Sequence, residues 1–419
     1  MSENKKIPEI RFKGFSGEWD HKKLQDLTEA GFSNGVFNDP QKVGKGYRLI
    51  NVKDMYSGDS IHIENLSLLD LDEKEFKKNK VEYGDIFFTR SSLVKEGIAY
   101  SNVNLSDRND ITFDGHLIRM QPCKATTNPV FLAYSFKTPS AREQFILGGK
   151  TTTMTTIGQS DIATVALSLP CKQEQTKIST IFQNLNTLIN QHQQKHDKFS
   201  NIKKAMLEKM FPKQGETSPE IRFKEFSGDW DEKELGEIGD TFTGLAGKTK
   251  DDFGHGQGRF VTYMNVFSNA ISNQNLVEPV EIDKNQNEVE KGDVFFTTSS
   301  ETPEEVGMSS VWMSDTPNMY LNSFCFGYRP KQKIDSYFLA YILRTRAFRK
   351  QVVFLAQGVS RYNISKMKVM DIKICMPNIS EQQKIGRYFQ KLDILINQHQ
   401  QQITKLKNIK QACLSKMFV

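Results

Sequence analysis

The chain has 419 residues, of which 37% are hydrophobic and 25% charged, with 56 Lys and Arg against 50 Asp and Glu for a formal net charge of +6. At roughly 100 to 200 residues per domain this length predicts two or three domains, and the apolar content excludes a disordered chain. No run reaches the ~18 to 20 apolar residues of a bilayer span, and the opening MSENKKIPEIRF has no apolar secretion segment, so a cytoplasmic protein is expected.

In chain order, residues 8–20 (PEIRFKGFSGEWD) come first and offer Phe12, Phe15 and Trp19 as hydrophobic anchors. Short β-prone runs bounded by Gly, Pro, Asn or Asp follow at 47–52 (YRLINV), 86–89 (IFFT) and 117–120. An amphipathic helix is expected over 129–145, a strand over 165–169, and then a long helical pattern up to Pro212. The second half opens with residues 219–231 (PEIRFKEFSGDWD), carries an expected helix over 336–356 and a strand over 372–376, and ends in a second long helical pattern.

The chain is written twice. YGDIFFTRSS at 83–92 recurs as KGDVFFTTSS at 291–300, and FLAY at 131–134 recurs at 338–341. Residues 174–211 align with 381–418 at 23 identical positions of 38. The stretches between these landmarks barely match, so a shared framework carries two different variable surfaces.

The helical segments read as coiled coil. Ile178, Phe182, Leu185, Ile189, His192 and Phe199 form one seam, continued by Ile202, Met206 and Leu207. Ile385, Phe389, Leu392, Ile396, His399, Ile403 and Leu406 form the other. Their spacing of four, three and four suits a two-helix interface, and a polar histidine at a seam position sets register. A 38-residue helix is roughly 57 Å long at 1.5 Å per residue and too one-sided to stand alone. Antiparallel pairing of the two helices would give the chain an internal pseudo-two-fold axis. The fold class expected is α+β, with two similar mixed α/β domains separated by two long antiparallel helices forming an intramolecular coiled coil.

Charge concentrates on these helices. Residues 172–213 hold eight Lys against three Asp and Glu, and 380–419 hold seven Lys and Arg against two, so each is +5 and the rest of the chain sums to −4. The bulk pI of 8.8 falls short of a dedicated nucleic-acid-binding domain.

Enzyme motifs are nearly present and then fail. The Gly-Lys-Thr ends of 243–249 and 147–151 lack the first P-loop glycine, whose place is taken by Phe242 and Gln144. NPVF at 128–131 lacks the second proline of a base-methylating N-P-P-Y motif, and Glu75-Phe76-Lys77 has no preceding P-D of a nuclease. His192 and His196 share the spacing of metal ligands on a helix, yet Ile403 stands at the repeat position of His196. Loop, helix start, solvated face and seam are the readings. The five cysteines, Cys123, Cys171, Cys325, Cys375 and Cys413, never stand in C-x-x-C spacing and read as small apolar residues, so no metal is expected.

The whole chain resembles the specificity subunit of type I restriction-modification systems. The resemblance rests on RFKGFSGEW and RFKEFSGDW opening each half, GDIFFT and GDVFFT within each, and PCKQEQTKI and PNISEQQKI before each helix. It implies a non-catalytic reader of double-stranded DNA. Residues 1–172 and 214–379 would be target recognition domains, each reading one half of a bipartite site. Residues 173–213 and 380–419 would be helices that set the spacer and dock two methyltransferase subunits. Those partners would carry S-adenosylmethionine, none being bound by this chain, and motor and nuclease subunits would cut unmodified DNA.

Base readout calls for Arg or Lys toward guanine and Asn or Gln toward adenine, on loops that reach the major groove. Polar, Gly-rich, poorly repeated stretches supply the candidates. In the first half these are Lys42, Lys45, Tyr47, Arg48, Arg90, Ser91, Lys150, Thr151, Thr152 and Thr153. In the second they are Lys248, Lys250, His255, Gln257, Arg259, Thr298, Ser299, Ser360, Arg361, Tyr362 and Asn363. The alternative function is a coiled-coil scaffold whose twin domains bind proteins, which leaves the divergence of the two domains unexplained.

Overall fold

The computed structural model describes residues 7–419. The described residues form two compact units, one of residues 7–192 with 401–419 and the other of residues 193–400. Each is built in the same way.

In the first unit, a four-stranded antiparallel sheet runs in the order Thr28–Asn34, Leu117–Pro122, Ile86–Thr89, Ser101–Val103. A three-stranded mixed sheet has Val43–Ile50 between Ser67–Leu69, antiparallel to it, and Ile111–Phe113, parallel to it. The GDIFFT motif explains its own burial. Gly84, at φ +90°, makes the tight turn, and the Asp85 carboxylate accepts the Glu82 amide at 3.0 Å. The strand that follows alternates faces, so Phe88 packs with Phe136 and Phe145 on one side while Phe87 meets Phe113 on the other. One central strand thus serves two cores.

The second unit repeats this arrangement. Its four-stranded sheet has the order Gly239–Thr243, Cys325–Pro330, Val294–Thr297, Ser309–Val311, and its three-stranded sheet the order Val277–Val280, Phe253–Val261, Met319–Leu321. Gly292 at φ +95° makes the equivalent turn, with Asp293 accepting the Glu290 amide at 2.7 Å.

The expected helix over 129–145 is two helices, Pro129–Ser135 and Pro139–Gly148, and that over 336–356 is likewise two, Ser336–Ile342 and Arg346–Phe354. Pro139 has no amide proton to continue the first, and Thr138 caps the new start by accepting from the Ala141 amide. Thr345 does the same for Phe348 without a proline. Apolar periodicity runs through both breaks, which is why the pattern reads as one helix.

The long helices span Lys172–Lys209 and Ile379–Lys416. In the first unit the start of one lies beside the end of the other: Phe182 and Phe418 rings stand 5.8 Å apart, and Trp19 packs edge-on to both Phe131 and Phe418. In the second unit Phe211 stands 5.7 Å from Phe389 and packs edge-on to Trp230. The helices are therefore antiparallel. Ile178, Phe182, Leu185, Ile385, Phe389, Leu392 and Ile403 are buried, while Ile189, His192, Phe199, Ile396, His399 and Leu406 are half-buried. The Phe199 and His399 rings stack at 5.8 Å.

The repeated PEIRF segment is the joint between domain and helices. The Ile10 amide donates to the carbonyl of Lys416 at 2.9 Å, and the Ile221 amide donates to that of Lys209 at 2.8 Å, satisfying last-turn carbonyls that a helix leaves open. Arg11 then forms a bidentate pair with Glu174 at 2.8 Å on both arms, and Arg222 does so with Glu381 at 2.7 Å. Neighbouring residues of one short segment thus hold the start of one long helix and the end of the other.

Candidate nucleic-acid interface

In each unit, the strand of the repeated Phe-Phe-Thr run ends in a cluster of loops that the candidate residues populate. In the first, Arg90 leaves that strand with its amide donating to the His116 carbonyl and its carbonyl accepting the Ile157 amide. Ser91 and Ser92 pair with Thr156 and Thr155, which in turn pair with Lys150 and Thr151. Arg90, Ser91, Lys150 and Thr151 therefore gather on one small sheet, with Thr152 and Thr153 at its exposed tip. The 114–116 turn lies beside them. The Gly115 amide donates to the Val36 carbonyl, and Gly35 packs so closely that a Cβ there would meet the Phe113 oxygen at 2.0 Å. That approach brings forward Phe37, 77% exposed, and His116, with a 69% exposed side chain.

Lys42, Lys45, Tyr47 and Arg48 make their contacts elsewhere, on the three-stranded sheet. Lys45 pairs with Asp70 at 2.9 Å, Arg48 lies 3.4 Å from Asp110, and the Tyr47 ring stacks flat on Phe76 at 3.6 Å. Lys42 is exposed.

The second unit shows the same sorting. Thr298 donates both amide and hydroxyl to the Phe324 carbonyl, at 3.0 and 2.8 Å, and its own carbonyl accepts the Ile364 amide. Ser299 and Ser300 pair with Asn363 and Tyr362, which brings three of the candidates onto one short ribbon beside the exposed Ser360 and Arg361. Ser299 itself is only 7% exposed and so contributes backbone rather than side chain. Lys248 is held by Asp283 at 2.9 Å. His255 has Nε2 2.7 Å from the Asp251 carbonyl, while Lys250, Gln257 and Arg259 are exposed.

Both clusters rest on a half-buried arginine of the helix behind them. Arg142 donates to the carbonyls of Glu96, Ile98 and Ala99, and Arg349 to those of Glu304, Val306 and Gly307. Burial pushes Arg349 down to about 10, which still leaves it charged at neutral pH. The clamped loops differ in character: Leu93-Val94-Lys95-Glu96 in the first unit, Glu301-Thr302-Pro303-Glu304-Glu305 in the second.

Sequence reasoning missed Phe37, His116, Leu93 and Val94 in the first cluster and Tyr263, Met264, Glu305 and Phe324 in the second. The one signal available was the alignment of the halves, which places the divergent 93–96 and 301–305 loops directly after the matching strands.

The near-motifs have structural uses. Asn128 caps a helix by accepting the Val130 and Phe131 amides, Phe76 is buried under Tyr47, and the Lys150-Thr151 pair is part of a strand. Among the described residues no group of three or more His, Cys, Asp or Glu could hold a metal, and no helix is long and apolar enough to cross a membrane.

The family model of the type I restriction modification DNA specificity domain matches residues 16–201 and again 227–408. The chain is 21% identical over 412 residues to the putative type I restriction enzyme MjaX specificity subunit of Methanocaldococcus jannaschii, covering 93% of this chain and 91% of that one. It is 27% identical over 194 residues to the type I restriction enzyme EcoKI specificity subunit of Escherichia coli, covering 44% of this chain and 40% of that one. The crystal structure of the type I restriction-modification system S subunit from M. genitalium superimposes with a TM-score of 0.55 at 16% identity, covering 99% of both chains. With the family model matched twice in tandem over most of its length, the chain belongs to the type I restriction modification DNA specificity family.

Proposed function

We propose that each globular domain reads one half of a bipartite DNA target, while the long helices fix the spacer between the halves and dock two methyltransferase subunits. The observation that carries this reading is the contrast inside the duplication. Ile10 with Arg11 and Ile221 with Arg222 grip the helices identically, whereas the loops clamped by Arg142 and Arg349 share almost nothing. Selection for one frame and two different surfaces suits a protein that must present two specificities at a fixed separation.

The chain is a non-catalytic subunit that works in the cytoplasm. It binds no cofactor, and S-adenosylmethionine belongs to its methyltransferase partners, with the motor and nuclease subunits joining them for cleavage. Contacts to phosphate set position and contacts to base edges set sequence. Since the chain outside its helices sums to −4, the assembled complex supplies much of the salt-dependent attraction to DNA.

The test lengthens both helices. Half-sites on one face of B-DNA repeat at about one turn, ~34 Å. One heptad inserted between Leu188 and Phe199, with its equivalent in the second helix, should lengthen the spacer and leave both half-sites unchanged. Methylated motifs from a strain carrying the variant and its methyltransferase report this directly. Altered half-sites with an unchanged spacer refute the ruler role, and methyl transfer by the chain alone refutes the non-catalytic one.

A further inference from the structure

In the second unit, the acidic clamped loop and the ribbon that carries Arg361 converge on a cavity of about 260 Å³ walled by Tyr263, Met264 and Phe324. Glu305 and Arg361 both line it, yet no ion pair joins them among the described residues. A carboxylate and a guanidinium that share a cavity without pairing leave an acceptor and a fork of donors open to a third party.

The Glu305 carboxylate is held, and so is the backbone turn that carries Arg361. One oxygen of Glu305 accepts the hydroxyls of Thr302 at 2.9 Å and Ser300 at 3.3 Å, which leaves the other oxygen open. Arg349 grips the carbonyls on either side of this residue, at Glu304 and Val306. Gln357 and Asn363 exchange backbone hydrogen bonds at 3.0 and 2.8 Å, closing the turn on which Arg361 stands.

If this face meets DNA, the carboxylates of Glu301, Glu304 and Glu305 are repelled by phosphate, so the loop is tolerated only where it faces donors. The donors available on base edges in the major groove are the amino groups of cytosine and adenine. The guanidinium fork needs two adjacent acceptors, which guanine alone presents through O6 and N7, because in an A·T pair the adenine amino group stands between the two acceptors. A single C·G pair satisfies both groups at once. We propose that Glu305 and Arg361 read a C·G base pair in the half-site of the second domain, Glu305 accepting from the cytosine amino group and Arg361 donating to guanine.

This inference rests on the second domain being a DNA reader, and the experiment separates the two. The full chain, as wild type, Glu305→Gln, Arg361→Ala and Arg361→Lys, is co-expressed with its methyltransferase, and the methylated genome is sequenced. The wild-type motif should contain a C·G pair in one half. All three variants should relax that position, with about a tenfold or greater loss of preference for C·G, and leave the other half intact. Arg361→Lys keeps the charge and loses the fork, so it guards against a fold defect in the alanine variant. Variants that retain the wild-type motif, that weaken all positions equally, or that relax a position other than C·G overturn the inference while the domain still reads DNA. A wild-type chain that directs no bipartite methylation overturns the reading beneath it.

Discussion

Replacing Arg11 with methionine strips a buried carboxylate of its counterion. The Glu174 side chain is 1% exposed, and both of its oxygens are engaged by Arg11 at 2.8 Å, whose side chain is 14% exposed. At such burial solvent cannot replace the lost donors, and removal of one partner of a buried pair typically costs about 3 to 5 kcal/mol. Arg11→Met should therefore destabilise the first unit by about that amount. The double variant Arg11→Met, Glu174→Met removes both charges and should recover most of the loss, since apolar replacement of a whole buried pair is often close to neutral. Urea unfolding of the four members of this double-mutant cycle, followed by hydrogen exchange in peptides from 172–185, measures the coupling for this unit. Equal losses in the single and double variants, or a single-variant cost below about 1 kcal/mol, would show that the joint lies elsewhere. The Arg222 and Glu381 pair, at 2.7 Å, should behave alike in the second unit.

Burial pushes the Asp85 carboxyl from 3.8 up to about 6, outweighing the Glu82 amide it accepts at 3.0 Å, Arg119 at 3.7 Å and Gln121, which donates at 3.4 Å. A carboxyl whose folded value lies above its unfolded value costs nothing below about pH 4 and its full penalty above pH 6. The stability of wild type relative to Asp85→Asn should therefore fall by roughly 3 kcal/mol between pH 4 and 7, as read by urea unfolding at each pH; a flat difference contradicts this. Gly244→Ala would place a Cβ 2.2 Å from the Asn322 oxygen, so that loop must shift. A loss of about 1 to 3 kcal/mol is expected, with methylation degraded in one half-site only, and an unchanged motif from a stable variant refutes the close approach as a determinant.

The duplication, the extent of the long helices and the burial of the two Phe-Phe-Thr strands were legible in the residues themselves. Each is a local regularity: a period of 3.5 or 3.6 for the seams, an apolar run between turn signals for a strand buried on both faces. Periodicity is also why the helices around Thr138 and Thr345 read as continuous, since a capping hydroxyl leaves the apolar stripe in phase. The motif residues were legible as framework, but Arg11 was not legible as the partner of Glu174, because nothing local relates side chains 163 positions apart.

Among the candidate readers, residue type said which side chains could meet a base, and only tertiary contacts said which are free to do so. Tyr47 is spent on Phe76, Lys248 on Asp283 and Ser299 is buried, while Arg361 in the second unit and Thr152 in the first remain open, and Phe37 and His116 are brought forward in the first. The sequence by itself thus determined that one framework was copied and two surfaces diverged. The tertiary structure decided which residues of those surfaces face outward, because that depends on partners that the chain brings together only when it folds.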